Sequence, residues 1–217
     1  MNLFISTVTQ DPFYYFAWVG VVAFSICVHE YSHARSALLL GDDTAARLGH
    51  LSLNPLVQMG PVSLAMLFLL GIAWGAVPVN TVNLRGRKEA ALVSASGPIS
   101  NLLLSVAFAG VSIGLGLFSV DQGAMMLMQK FFHLGSVANG VLFVLNILPV
   151  PMLDGWPVFA LLFPRMRDIS PQQVQTLSWV FLLVIFFTPL WSLIWTGGSL
   201  MAAYFMQSWL RLFSLFL

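Results

Sequence analysis

Charged side chains are scarce in this chain: Asp, Glu, Lys and Arg together make up 8% of its 217 residues. Ordinary soluble domains carry about 25%, so that class is excluded, and an apolar content of 59% excludes a disordered chain as well. Cysteine is almost absent. Cys27 stands alone, so no internal disulfide can form and the redox compartment cannot be read from it. The net charge is only +1 and the basic residues are scattered, which leaves nothing to hold a nucleic acid. Internal repeats, low-complexity tracts and any stretch polar enough for a soluble domain are also missing. The first apolar run has no basic segment before it, so a cleaved signal peptide is not expected.

What remains is apolar sequence in long runs, with a mean hydropathy of +0.88, and this defines an integral membrane protein. The runs extend from Phe13 to Leu40, Val62 to Val77, Ala90 to Phe118, Phe131 to about Phe163, Val174 to Trp195 and Ser199 to Leu217. The second is too short to span and is bordered by Pro61 and Pro78, while Pro149, Pro151 and Pro157 break the fourth and Gly197-Gly198 separates the last two. The expected fold is therefore an all-α polytopic membrane protein. It has about five transmembrane helices plus a re-entrant or membrane-embedded segment, with a short β-hairpin where the chain leaves that segment. All of 1–217 reads as one membrane-embedded domain, with a catalytic core at about 13–163 and C-terminal helices at 174–217.

Orientation follows from Lys and Arg, which accumulate in cytoplasmic loops. Arg35, Arg47, Arg85, Arg87, Lys88, Arg165 and Arg167 fall on one side if the N-terminus is outside and the Val62 to Val77 run dips in and returns; only Lys130 lies opposite. A true span there would divide the basic clusters between the two faces.

Into this apolar background the first run brings His29-Glu30-Tyr31-Ser32-His33. Imidazoles four residues apart share one helix face and can bind one metal ion, and the adjacent Glu reaches a water on that metal. Asp154, in Asn146-Ile147-Leu148-Pro149-Val150-Pro151-Met152-Leu153-Asp154-Gly155, is the one acid deep in the fourth run. An intramembrane carboxylate is costly and needs a partner. The topology puts the two histidines, Asp154 and Asn101 of Gly97-Pro98-Ile99-Ser100-Asn101 at one depth, toward the cytoplasmic face. Two His and one carboxylate leave a fourth tetrahedral position for water, as in catalytic zinc sites.

HEYSH, GPISN and NILPVPMLDG in this order resemble the site-2 protease family of intramembrane zinc metalloproteases. The likeness covers about Val28 to Gly155 and includes Gly49-His50-Leu51-Ser52-Leu53-Asn54-Pro55, similar to the family's turn after the catalytic helix. It implies one zinc ion per chain held by His29, His33 and Asp154, Glu30 as catalytic acid and base, and Asn101 and Asn146 near the substrate or the oxyanion. Some members carry PDZ or CBS domains, for which the twelve residues before Phe13 and the short loops leave no room, so a compact form in a prokaryotic cell membrane is expected. Its substrate would be a transmembrane protein, its surroundings the lipid bilayer, with regulatory membrane proteins as further partners. Where members with a similar turn carry a His-x-Asp-Pro sequence, this chain has Gln58-Met59-Gly60-Pro61. The last two helices, free of catalytic motifs, are the candidates to move aside for substrate. A transporter using the His, Glu and Asp cluster for metal or proton passage is the alternative. It predicts polar residues through the whole thickness.

Overall fold

A computed structural model describes residues 3–118 and 123–216. Asp11 starts the first long helix. Its carboxylate accepts the Tyr14 N–H, and Pro12 occupies the first helical position, where its missing N–H costs nothing. The helix α2, Pro12–Leu39, follows the short α1, Thr7–Gln10. Its 28 residues rise about 42 Å, enough to cross a hydrocarbon layer of about 30 Å. Beyond it come α3 (Thr44–Arg47), α4 (Pro55–Gln58), α5 (Gly60–Leu70), α6 (Arg87–Phe118), α7 (Ala124–Asn146), α8 (Gly155–Leu162), α9 (Pro171–Phe187) and α10 (Leu190–Phe213). α2, α6 and α7 pack against one another as the core of the bundle, and α10 lies on α6 and α7.

The structure corrects the count of spans. Among the described residues two helices, α2 and α6, are long and apolar enough to cross a membrane, or three if the sharply bent α9–α10 pair counts as one. The fourth run is not one helix. It stops at Asn146, turns through the prolines and restarts at Gly155, while Gln129, Lys130, His133 and Asn139 lower the hydropathy of α7. The boundary between the last two helices also moves. It lies at Thr188 and Pro189, and Gly197 and Gly198 sit inside α10. These glycines meet α7: a Cβ on Gly198 would lie 2.7 Å from Val141 Cα, and one on Gly140 would lie 2.6 Å from the Gly198 carbonyl oxygen. Trp209 adds a bond from its indole N–H to the Val106 carbonyl of α6 at 2.9 Å.

The segment from α5 onward runs along α2 and then doubles back beside it. α5 has 11 residues, about 16 Å of rise and half a span. Its far end is tied to the start of α2, where the Tyr15 hydroxyl donates to the Phe68 carbonyl at 3.0 Å and the Trp18 indole N–H to the Gly71 carbonyl at 2.9 Å. Gly71 adopts the left-handed conformation (φ 72°) and turns the chain back. The return passes Glu30 at Gly75 and reaches Asp42, just past the end of α2, at Asn80. No strand occurs among the described residues, so the expected β-hairpin is not formed. The returning edge instead bonds to side chain and loop. The Trp74 N–H donates to Ser63 Oγ, whose hydroxyl donates to the Trp74 carbonyl, and the Ala76 N–H donates to the Gln58 carbonyl.

Asp42 anchors this return. It is fully buried and accepts from the Asn80 N–H at 2.7 Å, Asn83 Nδ2 at 2.9 Å and the Thr44 N–H at 3.1 Å. Burial pushes its carboxyl up, but the hydrogen bonds from Thr44, Asn83 and the Asn80 backbone outweigh that and hold it down from 3.8 to about 2. A carboxylate depressed in the fold stabilises it above the ordinary pKa and loses that contribution as pH falls through the folded value. Hydrogen exchange at Asn80, corrected for intrinsic rate, should therefore quicken as pH falls from about 4 to about 2. In Asp42→Asn it should be fast throughout.

Candidate metal centre

Three elements bring ligand-type side chains to one point. α2 supplies His29 and His33 on one face, and the turn between α7 and α8 supplies Asp154. His29 Nε2 lies 2.9 Å from Asp154 Oδ2, His33 Nε2 lies 3.3 Å from Asp154 Oδ1, and the two Nε2 atoms are 3.0 Å apart. Both histidines are buried, and this is the one cluster of at least three such residues with converging ligand atoms among the described residues.

The donor set fits a zinc ion. The Val93 carbonyl can only accept, so His33 Nδ1, 2.8 Å away, carries a proton. His29 Nδ1 donates likewise to Asn101 Oδ1 at 2.6 Å. Each ring therefore turns a lone pair on Nε2 toward the other and toward a carboxylate, an arrangement that a cation relieves. Ligands about 2.0–2.1 Å from a tetrahedral ion lie about 3.3 Å apart, close to the spacings observed. α6 leaves the space open at Gly97, where a Cβ would come within 2.5 Å of His29 Nε2 and 2.6 Å of His33 Cε1.

The centre opens on a cavity of about 510 Å³. Glu30, Asn146 and the returning stretch Ala73 to Val77 line it, with apolar walls from Ile26, Leu142 and Met152. Glu30 is also buried, and a Cβ on Gly75 would strike its carboxylate, so main chain passes directly over it. That carboxylate has no hydrogen-bond partner among the described residues. Asn146 donates one amide hydrogen to the Leu142 carbonyl at 3.1 Å and faces the cavity with the rest of its amide. Asn101, expected beside the substrate or the oxyanion, also borders the cavity, but its amide is engaged on both sides. Its Oδ1 accepts from His29, and Nδ2 donates to Asn139 Oδ1 at 2.9 Å.

Two contributors were not singled out from the sequence. Asn139 and Ser25, both fully buried, join Asn101 behind His29. The available signal was a polar side chain inside an apolar helix, which fits helix-to-helix bonding equally well. Gln58, at the departure from His-x-Asp-Pro, donates to the His50 carbonyl at 2.8 Å and bonds the Ser52 carbonyl. It thereby supports the turn whose Gln58 carbonyl holds Ala76.

The class that fold and site define is an all-helical protein with helices long and apolar enough to cross a membrane, around two histidines and a carboxylate that could hold a metal ion, with a Glu beside them. No protein-family model matches the chain, and no solved structure matches it. Among curated proteins, it is 33% identical over 172 residues to the Bacillus subtilis protein named "Putative zinc metalloprotease YwhC", covering 77% of this chain and 78% of that one. Two proteins named "Putative zinc metalloprotease Rip2" match at 32% identity. The Mycolicibacterium smegmatis protein aligns over 172 residues, 74% of this chain and 62% of its own length, and the Mycobacterium tuberculosis protein over 176 residues, 76% and 64%. The chain thus spans a little under two thirds of the Rip2 proteins. It belongs to the family of these relatives, which are site-2 protease family members.

Proposed function

We propose that this chain is an intramembrane zinc endopeptidase that hydrolyses a peptide bond within or near the transmembrane segment of a membrane-tethered protein, as a step in regulated proteolysis. The observation that carries the reading is the convergence of His29, His33 and Asp154 on a cavity that also holds the free carboxylate of Glu30. Those three side chains would hold a zinc ion, which when bound would supply a water of lowered pKa and a Lewis acid for the scissile carbonyl. Glu30 would take the proton of the attacking water as the water oxygen bonds to the carbonyl carbon. It then delivers the proton to the leaving nitrogen as the C–N bond breaks. Asn146, with amide hydrogen to spare, donates to the developing oxyanion, and Asn101 orients His29.

The peptide must be extended to expose that carbonyl. In the returning segment, both main-chain groups of Trp74 bond Ser63 and the Ala76 N–H bonds the Gln58 carbonyl, while Gly75 and Val77 have no main-chain hydrogen bond among the described residues, and all four line the cavity. The unpaired main-chain groups of Gly75 and Val77 would be available for pairing with an extended substrate backbone. The return of the segment along α2, and the basic residues it would leave on one side, support a cell-membrane protein whose N-terminus is outside and whose active site lies toward the cytoplasmic face. The transporter reading is not favoured. Farther from the centre, Ser105 and Ser136 bond each other's carbonyls at 2.8 and 2.9 Å and are fully buried, so they join helices and open no path.

The test is cleavage of a transmembrane reporter by the purified chain, with and without a chelator. Cleavage should stop on chelation and return with zinc, and Val77→Pro should slow cleavage of the intact reporter more than that of a short unstructured peptide. Undiminished cleavage after chelation would overturn the metal-dependent reading. Equal effects of Val77→Pro on both substrates would overturn the pairing edge.

A further inference from the structure

The Gly135 carbonyl on α7 can only accept a hydrogen bond, and it receives one from Asn139 Nδ2 at 2.9 Å. The Ser25 hydroxyl oxygen on α2 takes the other hydrogen of that amide at 2.8 Å. With both hydrogens spent, Asn139 has only Oδ1 to offer α6. Asn101 must meet it with Nδ2, 2.9 Å away, and so turns its own Oδ1 to His29 Nδ1 at 2.6 Å. An oxygen in that place requires the ring proton on Nδ1 and leaves Nε2 with its lone pair toward the centre. Ser25, Asn101 and Asn139 are 0% exposed, so no water can satisfy an amide turned the wrong way. Reversing Asn101 alone would set two oxygens against each other at Asn139 and two donors at His29. His33 needs no such relay, because the Val93 carbonyl orients it directly.

We infer that Asn139 is a positioning residue of the metal centre, which through Asn101 dictates the His29 nitrogen that carries the proton and so makes Nε2 the metal-binding atom. Its consequence for zinc rests on the function proposed above, whereas the order of hydrogen bonds does not.

The test uses the whole chain in lipid nanodiscs and measures zinc affinity by competition with a chelator. Asn139→Leu keeps similar volume but removes the acceptor, which frees Asn101 to turn. Affinity should fall about 10- to 100-fold, the usual cost of losing an outer hydrogen-bond partner. Asn101→Asp supplies a carboxylate that can only accept, whatever lies behind it. In that background the Asn139→Leu penalty should largely vanish, whereas a packing role predicts the same penalty in both backgrounds. Nitrogen-15 shifts of the His29 ring in metal-free protein give an independent reading. The proton should sit on Nδ1 in the native chain and move to Nε2 in Asn139→Leu. An unmoved proton, or a penalty undiminished beside Asn101→Asp, overturns the inference. Should the native chain bind no zinc while the proton still moves, the relay stands and the zinc function fails.

Discussion

Glu30→Gln should retain one zinc per chain and lose peptide hydrolysis by about 10²–10⁴-fold, the contribution of a positioned general base. The two halves of this result test different atoms. Glu30 is not among the three converging donors, so metal analysis should match the native chain. The amide of Gln has the shape of the carboxylate and fits beneath Gly75, which leaves little room for a longer side chain. It cannot accept a proton from water at neutral pH. A native carboxylate with no described hydrogen-bond partner is held ready for that transfer, whereas a structural Glu would be expected to spend its oxygens on neighbours. Reporter cleavage and zinc content, measured on the same preparation, decide the matter. Hydrolysis near the native rate would remove Glu30 from the chemistry.

The second large effect comes from adding a single methyl group. Gly97→Ala places a carbon within 2.5 Å of His29 Nε2 and 2.6 Å of His33 Cε1, inside the space a zinc ion needs at about 2.0–2.1 Å from each nitrogen. Zinc binding and zinc-dependent cleavage should both be lost. The helix itself should not suffer, because Ala is favoured over Gly within a helix by about 0.8–1.0 kcal/mol. The added carbon must also push aside two buried imidazole rings held at Nδ1, an overpacking cost of about 1–3 kcal/mol, so the chelated protein should unfold at or somewhat below the native temperature, while zinc no longer raises it. Gly114→Ala on the same helix is the control. Its Cβ meets only the Phe213 ring at an ordinary 3.9 Å, so zinc should be kept. If Gly97→Ala bound zinc normally, the metal position inferred from the ligand geometry would be wrong.

Much of the centre was legible because its chemistry is rare in an apolar setting. HEYSH announces two ligands and a base, and Asp154 stands out since a lone acid deep in a membrane segment needs a cationic partner. The depth argument from Lys and Arg then brought them together, and the structure places their ligand atoms within 4.8 Å of one another. Asn101 was expected near the substrate or the oxyanion from the resemblance alone, since in a sequence an amide shows neither which way it faces nor which end is engaged. Only Asn139 and Gly135, on a different helix, settle that. Gly97 and Gly75 were illegible for a related reason: their role is to leave space beside residues remote in sequence. The spans were overcounted because hydropathy registers apolar runs and not the continuity of helix through them. Prolines divide one run at 147–154, and the polar residues of α7, exposed at Lys130 and His133 and buried at Asn139, lower the hydropathy of that helix. Gly197-Gly198 looked like a helix end, although close contact with α7 keeps the glycines inside α10.

The backbone clasp of Gly140 against Gly198 bears on how a substrate helix would enter. At that contact the main chains of α7 and α10 approach closely, with the Val141 side chain beside Gly198, and Trp209 ties α10 to α6 farther along. Swinging α10 outward would break main-chain packing that no rotamer change could restore, so α10 belongs to the fixed wall of the bundle. α9 packs chiefly on α10 and turns Leu177, Trp179, Leu183 and Phe187 outward. The pair expected to move aside together is therefore mechanically unequal: one helix is a doorpost, and lateral passage has to be found on the sides it does not brace.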